Sequence, residues 1–169
     1  MRLSGVGAII GVVAASALAL AGCGSAGVPA AGLTVIGGKP TIVFVSCTQR
    51  SANVGVYVDK PTDPSQAGPR PSDYIGYLDW TVRSSSPERL TEIPLFGAPP
   101  PRWIADENAI TTLQPGVTYS VTGTGEATAL PVRFTVDDLA RLNADRVMVG
   151  NGPGKSKVVS RKQFEDGAC

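Results

Sequence analysis

The chain has 169 residues, 15 Lys or Arg against 14 Asp or Glu, 43% apolar side chains and no histidine. Charge this evenly balanced gives no general attraction to nucleic acid. The absence of histidine removes Ser–His and Cys–His nucleophile pairs together with the commonest zinc ligand, and the length suits one domain plus a targeting segment.

At the amino end, Arg2 precedes an uncharged run from Leu3 to Gly22. Gly and Ser dilute that run, so it fits an export signal better than a spanning helix, which wants about 20 predominantly apolar residues. The run closes on Leu20-Ala21-Gly22-Cys23. This LAGC resembles the lipobox of bacterial lipoprotein precursors in position, spacing and preceding apolar core. The resemblance implies a signal peptide over residues 1–22, diacylglyceryl transfer to the Cys23 thiol, cleavage before Cys23 and acylation of the new amino group, with palmitate the expected chain. The first expected partner is therefore the cell membrane, with the chain lipid-anchored on its extracytoplasmic face. Two or three acyl chains suffice for stable anchoring, since each buried CH₂ contributes about 0.8 kcal/mol and one chain alone is marginal. The 147 residues from Cys23 onward carry 14 basic and 14 acidic side chains.

After Cys23 comes GSAGVPAAG, small and polar, so residues 23–38 read as a flexible tether; residues 39–169 read as one β-sandwich domain. TIVFVSC (residues 41–47) and VGVYVD (54–59) are β-branched and aromatic runs of strand length. The Pro-rich stretch at 60–73 reads as a long loop. YIGYLDWTV (74–82) reads as a strand with Tyr74, Gly76, Leu78 and Trp80 on one face, ended by SSSPE. APPPRW (98–103) reads as a polyproline II segment at the surface or an edge. With Cys23 taken by lipid, Cys47 and Cys169 remain as an even pair in an oxidising compartment, where a disulfide is expected.

Residues 113–121, LQPGVTYSV, alternate through Val117, Tyr119 and Val121 after a Pro-Gly corner. They resemble the tyrosine corner of fibronectin type III and related immunoglobulin-like domains. In such a corner a Tyr hydroxyl bonds back to backbone near the turn. The resemblance implies that Leu113 plugs the core, Pro115 and Gly116 make the corner, and Tyr119 pins it. It also implies an immunoglobulin-like sandwich. About fifty residues follow Tyr119, more than the final strands of that family need.

Those extra residues carry the helix signals. Thr135 with Asp138 three residues on, and Ser160 with Gln163 and a closing Gly167, both read as N-capped helices of about two turns. RVMVG (146–150) between them reads as a strand. The following GNGPGKSK (150–157) imitates a phosphate-binding loop, yet the Walker spacing demands a Gly where Val149 stands. A Gly- and Pro-rich turn between two strands is the better reading.

Candidate chemistry is sparse. Two adjacent carboxylate pairs, Asp106–Glu107 and Asp137–Asp138, offer what a glycosidase-type hydrolase uses if folding brings them together, although acids at helix starts serve caps and the helix dipole. No cofactor or metal is expected. Trp103, after three prolines and Arg102, is a candidate exposed anchor for a partner. Lys155, Lys157, Arg161 and Lys162 form a local basic excess in a chain of balanced charge, a candidate contact for anionic membrane or envelope polymer. The sequence thus points to a lipid-anchored, non-enzymatic binding or interaction module of the cell envelope, whose partner is an envelope protein or anionic polymer. The alternative is a lipid-anchored hydrolase using carboxylates without histidine. Replacing the anchor tests the first step: Cys23→Ala should leave unlipidated, uncleaved precursor, seen by mass spectrometry as the mass of the full chain without acyl groups. An unmodified mature amino terminus at another residue contradicts it.

Overall fold

Strand runs here are apolar on both faces in one place and alternate in another, and that difference sets the architecture. TIVFV is buried without interruption from Thr41 to Val45, so its strand must be covered on two sides. In contrast, Trp80–Ser84 alternates buried and open positions, as a strand with one solvated face does. The computed structural model describes residues 30–59, 79–106, 108–125 and 127–169. Cys23, the signal segment, the Pro-rich stretch at 60–73, Tyr74, Gly76, Leu78 and Glu107 lie outside the described residues.

Ten strands form two antiparallel sheets. The strands are β1 (Ala30–Ile36), β2 (Lys39–Val45), β3 (Ala52–Val58), β4 (Trp80–Ser84), β5 (Leu90–Pro94), β6 (Ile104–Ala105), β7 (Tyr119–Thr124), β8 (Val132–Phe134), β9 (Arg146–Gly150) and β10 (Ser156–Ser160). The first sheet has the order β10-β9-β1-β2-β5 and the second β6-β4-β3-β7-β8. The chain is a mainly β sandwich. Placing β1, β2 and β5 against β4, β3, β7 and β8 is the allocation of strands A, B, E and C′, C, F, G in immunoglobulin-like sandwiches.

Leu33, Ile42, Phe44 and Ile93 of the first sheet meet Val56, Val82, Val121 and Phe134 of the second in one core. Three aromatic pairs cross at ring separations that suit offset or edge-on packing: Phe44 on Trp103 at 5.9 Å, Trp80 on Phe96 at 5.8 Å and Tyr119 beside Phe134 at 5.6 Å. Gly123 is pressed against Phe44, where a Cβ would lie 2.7 Å from the ring.

The outer face of the first sheet carries a second core of Val43, Val45, Val147, Phe164 and Ala168. Helix α1 (Arg161–Gly167) supplies Phe164 as its one buried side chain. Gly32 makes room beneath it, since a Cβ there would stand 2.3 Å from Val147 and 3.2 Å from the Phe164 ring. The helix starts on the expected box: Gln163 N–H donates to Ser160 Oγ at 3.2 Å, and Ser160 N–H donates to Gln163 Oε1 at 3.1 Å. Arg161 reaches across the sheet to Glu92 on β5 at 2.8 Å.

One expectation needs correction. Ala30–Ile36, read as part of the tether, is the central β1 of the first sheet, with Leu33 wholly buried. Gly and Ala mimic linker composition, but here they are small because β1 is covered on both faces. The segment after Thr135 is a short capped helix, as expected, and takes the 3-10 form over Val136–Arg141. Val136, Leu139 and Leu142 recur every three residues, the period a 3-10 helix presents on one side, and Leu142 N–H closes on Leu139 O at 3.0 Å.

The tyrosine corner is present. Tyr119 is 2% exposed, and its hydroxyl accepts from Gln114 N–H at 2.9 Å. Gly116, at φ 75°, sits in the 114–117 turn after Pro115, and Leu113 packs half-buried on the core. Tyr119→Phe removes one partly buried hydrogen bond and should cost about 0.5–1.5 kcal/mol in chemical unfolding; an unchanged midpoint would contradict the pinning role.

Cys47 and Cys169 are bridged, with Cα atoms 5.4 Å apart across 122 residues of sequence. The bridge joins Cys47, two residues past β2, to Cys169, two residues past α1, closing the helix over the outer face. Chain-entropy models assign a loop of this size about 4–5 kcal/mol. Reduction should lower Tm by about 8–20 °C at roughly 2–4 °C per kcal/mol for a chain of this length. An unchanged Tm would show that α1 holds without its staple.

Candidate functional site

Antiparallel register places one end of every central strand at the same pole. Ala30 pairs with Val45, and Val45 with Leu90. Gly32 pairs with Val149, which brings the β9–β10 turn alongside. In the second sheet Ala52 pairs with Ser84 and Asn53 with Thr124. Gly150 locks the sheets together here, because a Cβ on it would sit 2.7 Å from Pro131 O. The described chain enters the sandwich at this pole. The Gly37–Gly38 turn and the tyrosine corner lie at the other.

Residues 151–155, which imitate a phosphate loop, are the hairpin turn between β9 and β10. Asn151 N–H donates to Lys155 O at 2.8 Å, and Gly152 and Gly154 take φ of 98° and 64°. Their glycines thus serve a tight reversal. Lys155 and Lys157 project from this hairpin.

The basic cluster read from the sequence divides in space. Arg161 is engaged internally: its guanidinium donates to Glu92 at 2.8 Å and to Glu165 at 2.5 Å. Burial works to lower its pKa, but those two hydrogen bonds and charges outweigh it, and the net shift is upward. Lys162 pairs with Asp166 at 2.6 Å, and this hydrogen bond raises its pKa. Arg161 is therefore a structural clamp and not a surface contact; Lys162 stays exposed but paired with Asp166, and Lys155 and Lys157 are the exposed lysines of the hairpin. The acids that engage Arg161 and Lys162 arrive through helical spacing and the β5 register, which a linear count of charges misses.

Trp103 also differs from expectation. It is 5% exposed and packs edge-on against Phe44. Residues 100–103 make a turn in which Trp103 N–H donates to Pro100 O at 3.0 Å, and Arg102 takes φ 68°. Pro at the second position and a left-handed third residue are the type II pattern. The turn sends Trp103 inward and leaves Arg102 exposed, so the exposed side chain of this segment is the arginine.

The carboxylates do not converge. Asp106 follows β6 and Asp138 follows β8, the opposite edges of the second sheet, about 19 Å apart at four strand spacings. Asp106 accepts from Arg83 Nε at 2.8 Å. Asp138 accepts from Thr135 N–H at 2.8 Å and also pairs with Arg141. Burial tends to raise the Asp138 pKa, but the Thr135 bonds and Arg141 outweigh it, so its carboxyl titrates below the usual range. Asp137 is exposed beside it. Among the described residues no group of three or more His, Cys, Asp or Glu could hold a metal ion, and no helix is long and apolar enough to cross a membrane.

Two open grooves occupy the pole where the chain enters. One, of about 340 Å³, lies between Ala30, Leu130, Val149, Phe164 and the side chains of Lys157 and Gln163. Leu130 on its rim is 59% exposed. The other, of about 390 Å³, is bounded by the start of β3, the ends of β4 and β7 and the Arg102 turn. No protein-family model, curated protein or solved structure matches this chain.

Proposed function

We propose that this chain is a lipid-anchored lipoprotein on the extracytoplasmic face of the cell membrane, acting as a non-enzymatic binding module of the cell envelope. The anchor is Cys23, carried by the LAGC sequence. The supporting observation is the shared pole: the chain enters at Ala30 beside the Lys155–Lys157 hairpin, the rim residue Leu130 and both grooves. Cys23 and Ala30 are seven residues apart, a reach of at most about 25 Å for an extended chain. A lipid on Cys23 therefore keeps this pole close to the bilayer, where each Lys or Arg near an anionic surface contributes about 1 kcal/mol. Leu130 adds an apolar contact on the same side.

The sandwich core holds aromatics and β-branched side chains, and the two grooves described above lie open at the surface. This suits recognition of extended envelope material.

Vesicle binding tests the membrane-facing pole. The polypeptide of residues 24–169, free of lipid, should bind vesicles containing anionic phospholipid weakly and release them as salt rises. Lys155→Ala with Lys157→Ala should weaken that binding roughly 10- to 30-fold at low salt, from about 1 kcal/mol per charge. Binding that ignores both salt and the two substitutions, or none at low salt, contradicts the reading.

A further inference from the structure

The second groove carries an assignment of its own. Its floor and walls come from separated parts of the chain: Ser51 and Asn53 at the start of β3, Arg83 and Ser85 at the end of β4, Thr124 at the end of β7 and Arg102 from the Pro-rich turn. Two arginines thus line one groove together with hydroxyl- and amide-bearing side chains. Arg83 Nε is held by Asp106 at 2.8 Å, which fixes the direction of its fork while leaving its terminal nitrogens. Planar forks of this kind match the oxygens of phosphate or carboxylate in pairs.

Arg102 is the more telling member. The chain makes the same turn twice, as Gln114-Pro115-Gly116-Val117 and as Pro100-Pro101-Arg102-Trp103, with residues 116 and 102 at φ 75° and 68°. The first places glycine at the left-handed position, as that geometry favours. The second places an exposed arginine there, against the local preference. Strain of this kind held at a groove is a mark of function.

Size and wall chemistry narrow the ligand. About 390 Å³ lies in the lower part of the about 300–1,000 Å³ range of small-molecule sites and far exceeds what one bare anion needs. Ile104, 61% exposed beside Arg83, gives one apolar wall among the hydroxyls. A sugar ring has that same mixture of hydroxyl edge and C–H face. We propose that this groove binds an anionic sugar unit, phosphate- or carboxylate-substituted, through Arg83 and Arg102. This deepens the envelope-binding reading by naming the ligand class, and it rests on that reading only for where the ligand is met.

The test uses the full chain in detergent micelles, with amide shifts read by NMR as four probes are titrated: glucose 6-phosphate, glucuronate, glucose and inorganic phosphate. Shifts at Ser51, Ser85, Thr124 and Gly125 with glucose 6-phosphate or glucuronate are expected. Arg102→Gly should weaken that binding at least tenfold while Tm stays at or above the parent value, since glycine suits the turn. Arg83→Gln should weaken it comparably. Equal binding of glucose, equal binding of inorganic phosphate, or no shift in the groove with either charged sugar overturns the proposal. So does a parental affinity in Arg102→Gly. Lipidation enters none of these readouts, so failure of the anchor and failure of the groove are separable.

Discussion

The first sheet has no solvated face over its central strands, and the rest of the molecule is arranged around that constraint. Its inner side is the sandwich core, and its outer side would expose Val43, Val45 and Val147 if α1 did not lie across them. Burying a side chain the size of Phe164 contributes about 1.5–3 kcal/mol, a modest hold for a helix of seven residues. The missing Cβ at Gly32, the Arg161–Glu92 pair and the Cys47–Cys169 bridge each keep that helix on the sheet. The C-terminal hairpin and helix therefore complete the core, and the roughly fifty residues after Tyr119 belong to the domain.

The same register concentrates surface chemistry at one pole. Because β1 pairs antiparallel with both β2 and β9, the strand that admits the chain also fixes where the Lys155–Lys157 hairpin emerges. In the second sheet the pairing of β3 with β4 and β7 brings Asn53, Arg83, Ser84 and Thr124 to the corresponding end. On the proposed anchoring, a bilayer contact and a ligand groove then share one side of the molecule. Material bound there would lie between the domain and the membrane, or along its flank. Among the described residues, the opposite pole carries the Gly37–Gly38 turn, the tyrosine corner and the 3-10 helix.

Legibility in the sequence followed the range of the interaction. Local signals read directly: the β-branched runs of β2 and β3, the Ser160–Gln163 cap, the Pro-Gly corner with Tyr119, and the two cysteines left for one bridge. Features set by distant partners did not. Ala30–Ile36 looks like linker until β2 and β9 close on it. Arg161 looks free until Glu92 arrives from β5. Trp103 looks exposed because three prolines precede it, yet the turn they begin reverses the chain and drives the indole onto Phe44. The groove at Arg83 and Arg102 was invisible for the same reason, since its walls lie up to 74 residues apart in sequence, from Ser51 to Gly125. One local clue did exist: an arginine in the position where a Pro-led turn favours glycine.

Orientation on the bilayer is the most direct check. A fluorophore at Asn151, in the β9–β10 turn, and another at Lys39, beyond the far end of β1, stand about 20 Å apart along the strand direction. In full-length lipidated protein reconstituted into vesicles with bromine-labelled headgroup-proximal lipids, the account predicts strong quenching at Asn151 and little at Lys39. Equal quenching at the two sites, or stronger quenching at Lys39, would contradict it.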